Sequence, residues 1–220
     1  MISSQHKFIY LHPPKTGGNS IQRVLVPLSD DSIYLEAHHD GTNRFGLRGP
    51  VTGDKHDFLQ HYSDILGSEL NGYEIVISVR HPFTRALSYY FSPHRWFVNT
   101  GSSGWQLTPS IWNENRFYEC LDGLSAMTSY VQIGKKFRKP DHIIHLETLV
   151  DDLNLLMHSV GIDPSAQIAI PHANRTNATG EICSKLLSSL ELKRVVEERY
   201  MGDMERFGYE SYSSVASESY

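Results

Sequence analysis

Lys7-Phe8-Ile9-Tyr10-Leu11-His12-Pro13-Pro14-Lys15-Thr16-Gly17-Gly18-Asn19-Ser20 is the stretch that decides the fold of this chain. Its first half packs aromatic and branched side chains together until two prolines cut the run, which predicts a buried strand over 7–12. Its second half brings a lysine, two glycines and two hydroxyls. Ile21-Gln22-Arg23-Val24-Leu25 then continues as a helix over 18–27, stopped at Pro27. Strand, glycine-bearing turn and helix make a cradle for phosphate, because the first N–H groups of a helix face an anion and the helix dipole favours negative charge there. Lys15 adds a full charge, and Thr16 and Ser20 add hydroxyl donors. Lys15, Thr16, Gly17, Gly18, Asn19 and Ser20 are therefore the candidate anion-binding residues. The order differs from the G-x-x-x-x-G-K-[ST] of nucleoside triphosphatases, since here the lysine precedes the glycines. The G-x-G-x-x-G of dinucleotide folds is also missing.

Working outward, two more apolar runs read as strands. Residues 73–79, Tyr-Glu-Ile-Val-Ile-Ser-Val, lead at once into Arg80-His81-Pro82 and a helix over 83–91. Residues 142–146, His-Ile-Ile-His-Leu, are followed by Glu147 and a helix over 148–159. Helices are also expected over 55–66, with Asp54 as its N-cap, over 116–132 and over 181–200. Ile33-Tyr34-Leu35 is a possible short strand in the otherwise irregular 29–55. Residues 92–115 read as a long loop carrying Trp96, Trp105 and Trp112, and 163–180 as irregular. The Ser-rich end, 211–220, reads as a frayed tail. Strands alternating with helices predict an α/β fold of P-loop-like, three-layer type, with a central, mainly parallel sheet flanked by helices. Ligands in such sheets bind beyond the carboxyl ends of the strands. Lys15, Arg80 and Glu147 each follow a predicted strand and so belong to one rim.

The chain has 220 residues, the size of a single domain, with a formal net charge of −5. That charge argues against a general nucleic-acid binder, which would show a basic surface. The two cysteines, Cys120 and Cys183, lack metal-ligand spacing and form no disulfide framework. No apolar stretch reaches the ~18 residues that span a bilayer, and residues 1–8 do not read as a signal peptide. A soluble cytoplasmic protein is the expectation.

The second anchor is Val79-Arg80-His81-Pro82-Phe83-Thr84-Arg85-Ala86-Leu87-Ser88. An arginine fork at a strand end with a serine on the following helix suits a dianionic phosphate. Together with Pro14-Lys15-Thr16-Gly17-Gly18-Asn19-Ser20, it resembles the two cofactor signatures of sulfotransferases that use 3′-phosphoadenosine 5′-phosphosulfate (PAPS). The resemblance is to the branch of carbohydrate sulfotransferases and their soluble bacterial relatives. It extends through Asp141–Leu149, through Pro171-His172-Ala173-Asn174-Arg175-Thr176, and through Tyr200, Asp203, Phe207, Gly208 and Tyr209, so it covers 7 to 209.

The resemblance implies that residues 15–20 hold the 5′-phosphosulfate, that Arg80 and Ser88 hold the 3′-phosphate, and that Asn174 and Arg175 lie near the cofactor. Arg85 is assigned equally to the cofactor and to a structural role. Lys15 then stabilises the leaving phosphate, and no metal is required. The general base implied is His56, in Thr52-Gly53-Asp54-Lys55-His56-Asp57, where similar proteins carry Lys-His. His38 and His39 are the alternatives and Glu147 a lesser one; His12 is expected to pack or to bond the backbone. The acceptor is a hydroxyl of a carbohydrate or small metabolite, and the Trp-bearing loop is either core or a lid over it. Two other classes remain open at this point: a small-molecule P-loop kinase, which would want Gly-Lys-Ser/Thr and a metal-binding carboxylate, and a non-catalytic module that holds 3′-phosphoadenosine 5′-phosphate (PAP) or a partner.

Overall fold

The computed structural model describes residues 1–37, 43–101, 104–162 and 185–211. These fall into two units. One comprises 1–37, 43–80 and 127–162; the other comprises 81–101, 104–126 and 185–211.

The first unit is built on a four-stranded sheet. Strand β1 (Ile2–Ser3) pairs antiparallel with β2 (Phe8–Leu11). Three further pairs of strands precede the last one in sequence, but only two strands join β2 in this sheet: β5 (Glu74–Val79) and β10 (His142–His145), both parallel, in the order β1-β2-β5-β10. The register sets Tyr10 beside Val76, Leu11 beside Ile77, and Val79 beside His145. Parallel pairing brings the carboxyl ends of β2, β5 and β10 to one edge, as the alternation of elements predicts.

Helices flank this sheet. Phe8, Tyr10, Val76 and Ile144 share one face and pack against Ile21 and Leu25 of α1 (Gly18–Leu25) and against Leu153, Leu156 and Met157 of α5 (Leu149–Ser159). The other face, with Ile9, Leu11, Ile75, Ile77 and Val79, is equally buried. Burial on both faces explains why β2 and β5 read as continuous apolar runs rather than alternating ones. A hairpin of β3 (Ser32–Ala37) and β4 (Asn43–Arg48) follows α1, and α2 (Leu59–Leu66) precedes β5. Pro27 ends α1 in a single 3-10 turn, Val26–Leu28.

The sequence reading differs from the structure at the front of α2. Asp54 caps a turn, not the helix, which starts four residues later than expected. The Asp57 carboxylate takes the N–H groups of Gly53 (2.7 Å) and Asp54 (2.8 Å), so the chain closes on itself before the helix begins.

The second unit is helical and aromatic. Its α3 (Pro82–Tyr90) is capped by His81, whose Nδ1 accepts the Phe83 N–H at 3.2 Å. The histidine thus fills the place that Asp or Asn, standard N-caps, more often take. The expected loop 92–115 contains a 3-10 turn (Pro93–Trp96) and a small hairpin of β6 (Phe97–Asn99) and β7 (Trp105–Leu107). Helix α4 (Glu114–Asp122) stops at Gly123, short of the expected 132; the 3-10 turn Met127–Val131 and a two-residue hairpin of β8 (Gln132–Ile133) and β9 (Lys136–Phe137) follow in the first unit. The helix expected over 181–200 restarts at Ser189, whose hydroxyl caps Leu190–Arg199; Met201–Phe207 is the last helix among the described residues. Tyr90, Phe91, Trp96, Phe117, Leu121, Leu192, Val196 and Tyr200 form the core of this unit. Among the described residues, no helix is long and apolar enough to cross a membrane.

Candidate active site

The loop after β2 holds its shape through hydrogen bonds that run inward. The Tyr10 hydroxyl donates to Ser78 Oγ (2.8 Å), Ser78 Oγ lies 2.7 Å from Thr16 Oγ1, and Thr16 Oγ1 donates to the Pro13 carbonyl (2.7 Å). A carbonyl only accepts, so the Thr16 proton is committed to Pro13, and Ser78 must donate to Thr16. The chain of hydroxyls therefore has one direction, from β2 through β5 to the loop, and every member is fully buried. Burial of the Tyr10 phenol raises its pKa far above the usual range, which keeps it a donor at any working pH.

Two backbone features turn the loop. Lys15 has φ 71° and Gly17 has φ 81°, both in the left-handed region. A side chain on Gly17 would also meet Leu146 Cδ1 at 2.6 Å, just beyond the end of β10. Gly18 has a different reason to be glycine: a Cβ there would overlap the imidazole of His12. The N-cap of α1 is Gly17, which has no side chain to satisfy the first N–H groups, and the first turn contains no acidic residue. Such a helix start is left open to an anion.

His12 is 3% exposed. Its Nδ1 lies 3.1 Å from Gln22 Oε1. Gln22 Nε2 donates to the Lys55 carbonyl (3.4 Å), which fixes the amide orientation and makes His12 Nδ1 the donor. Burial, with the neighbouring His56 and Lys55 adding to it, holds the His12 pKa well below its usual value, so the ring is neutral at pH 7.

His56 lies against it, with ring centroids 4.5 Å apart. Its Nδ1 sits 2.7 Å from the His12 carbonyl oxygen. Only an Nδ1–H can bond a carbonyl, so neutral His56 carries its proton there and presents Nε2 as the basic nitrogen. The backbone N–H of His56 bonds Asp54 Oδ1 (2.8 Å), and Lys55 Nζ reaches the Phe45 carbonyl (2.6 Å). Partial burial lowers the Lys55 pKa. The turn that carries His56 is thus tied to β4, to α1 and to the strand end before the glycine-bearing loop.

The remaining expectations are met unevenly. Arg80 directly follows β5 and is half-buried; Glu147 follows β10 in a 3-10 turn and is exposed. Both lie at the carboxyl ends of the parallel strands, on the rim that carries the loop. In the second unit, Ser88 is buried on α3, and Arg85 is buried with Nη1 donating to the Ser125 carbonyl (2.9 Å), which is a structural tie. Trp96 is core: it is 4% exposed and its Nε1 donates to the Tyr90 carbonyl. Trp105 is 41% exposed. His38, His39, Asn174 and Arg175 lie outside the described residues, as does Cys183.

Ser78 and Gln22 were not singled out from sequence. Each had a signal: Ser78 is the polar residue in Ile75-Val76-Ile77-Ser78-Val79, and Gln22 sits between Ile21 and Leu25, which face the core.

These features define an α/β protein with a glycine-bearing loop between a buried strand and the first helix. A model of the sulfotransferase family matches residues 1–210, across both units, and the chain belongs to that family. Sulfuryl transfer is accordingly its general chemistry. No curated protein and no solved structure matches the chain.

Proposed function

We propose that the chain transfers the sulfuryl group of PAPS to an acceptor hydroxyl by in-line displacement and releases PAP. The observation that carries this reading is the pairing of His56 with the loop after β2: the residue that follows β2, His12, fixes the His56 tautomer with its carbonyl and lines Gly18 with its ring.

The residues fit the cofactor. Asn19 Oδ1 is buried at the start of α1 with no hydrogen-bond partner, and a half-turn of the amide would put NH2 donors in its place. With the open helix start and Lys15, the loop offers donors and positive charge where a phosphosulfate needs them. Bound PAPS would supply a sulfuryl group already joined to a phosphate leaving group. Lys15 and the first turn of α1 would offset the charge that develops on the leaving oxygen. His56 Nε2 would take the acceptor proton. Arg80 and Ser88 would hold the 3′-phosphate, with Asn174 and Arg175 contributing to the cofactor site. The acceptor is a carbohydrate or small-metabolite hydroxyl.

Calorimetric titration with PAP tests the reading. Low-micromolar binding without added metal is the expected outcome. Tight, magnesium-dependent ATP binding with no response to PAP would overturn it.

A further inference from the structure

Gln22 belongs to none of the cofactor signatures, yet it is 0% exposed and uses both ends of its amide. A buried amide is retained at a cost unless its polar atoms are paired. Oε1 accepts from the His12 ring at 3.1 Å, and Nε2 donates to the carbonyl of Lys55 at 3.4 Å. One side chain on α1 therefore grips two segments: the strand end that leads into the phosphate loop and the turn that carries His56.

The consequence for His56 comes from both sides. Its Nδ1–H depends on the carbonyl of His12, and its ring leans on the imidazole of His12. That imidazole is held by Gln22. The peptide bond entering His56 is the one whose carbonyl Gln22 holds. The ring contacts of His56 with His12 and the peptide that enters His56 thus lead back to the same amide, through His12 on one side and the Lys55 carbonyl on the other, while Asp54 holds the His56 N–H separately.

We infer that Gln22 is a positioning residue for the general base: it locks His12 and the Lys55 peptide so that His56 keeps its Nδ1–H tautomer and presents Nε2. This rests on the base reading of His56 given above. Gln22 itself acts only through its neighbours. A base must lie within hydrogen-bond reach of the proton it takes, so loosening its support reduces turnover more than it reduces binding of the donor.

Gln22→Met keeps the length of the side chain and removes both hydrogen bonds. The expected result is a fall in kcat of about 10- to 30-fold, with PAP affinity within about threefold of the parent. Imidazole nitrogen NMR on the same variant should show His56 passing from a single Nδ1–H tautomer to a mixture. A kcat within twofold of the parent, a PAP affinity that falls in step with kcat, or an unchanged His56 tautomer would overturn the inference. If Gln22→Met does not fold, Gln22→Glu is the second variant. Its carboxylate still accepts from His12 but gives the Lys55 carbonyl no donor, and a smaller fall in kcat at constant PAP affinity is expected; unaltered turnover would again overturn the inference. His56→Ala, assayed alongside, separates this claim from the one beneath it. Full turnover in His56→Ala would remove the base reading, whereas an unchanged His56 tautomer in Gln22→Met would remove the role of Gln22.

Discussion

The loop that joins β2 to α1 and the segment that joins α3 to α4 hold their shapes by opposite means. Around the loop, side chains turn inward as hydrogen-bond donors, through Tyr10, Ser78 and Thr16, and no side chain caps the start of α1. In the aromatic segment the side chains pack on each other, with Tyr90 edge-on to Trp96 and Trp112, while its backbone N–H groups find partners within the segment: Thr108 N–H bonds the Trp96 carbonyl at 2.7 Å, and Asn113 N–H bonds the Tyr90 hydroxyl at 2.9 Å. The lesson is one of division: a ligand site needs backbone donors left over, and a core needs none. Richness in tryptophan therefore points here to packing for Trp96, and the polar economy of the loop points to binding.

Replacement of His56 should give the largest effect and is the most direct way to break this contrast. His56→Ala should lower turnover by about 10²-fold or more and leave PAP affinity within about threefold. Steady-state kinetics with calorimetry checks both, and near-normal turnover would detach the chemistry from the loop region. Ser78→Ala sharpens the contrast. It interrupts the hydroxyl chain and leaves Tyr10 and Thr16 each short of a buried partner, at a cost of about 1–3 kcal/mol in stability. PAP affinity should fall about tenfold as the loop loosens, and affinity equal to the parent would show that the anchor is not needed for binding. The smallest effect is expected in the aromatic segment. Arg116 lies over the Trp96 ring at 4.0 Å and donates to the Arg95 carbonyl. Arg116→Ala should cost about 0.5–1 kcal/mol in urea denaturation and leave PAP affinity unchanged. A loss of PAP affinity as large as that of Ser78→Ala would erase the distinction between the two regions.

What was legible in the sequence follows the same division. The strands β2 and β5 could be read because burial on both faces demands unbroken apolar runs. The rim could be read because parallel strands place their ends together. β4 escaped because Asn43-Arg44-Phe45-Gly46-Leu47-Arg48 carries a glycine and two arginines, which hide its three buried positions. The start of α2 was misplaced because an Asp that caps a helix and an Asp that closes a turn look alike; the Asp57 carboxylate, not Asp54, decides between them. In the site, charge and glycine spacing exposed Lys15 and the loop. Gln22 and Ser78 were harder to read: each stands out as a polar residue in an apolar setting, but its role shows only through partners that lie elsewhere in the sequence.

Among the described residues, Lys15 is one of two non-glycine residues with positive φ, and it stands where glycine would sit more easily by roughly 1 kcal/mol. Selection for thermal endurance alone would exchange it. A library ranked only by resistance to heat or protease should enrich Lys15→Gly, and under the role proposed above for Lys15 its members should lose the reaction.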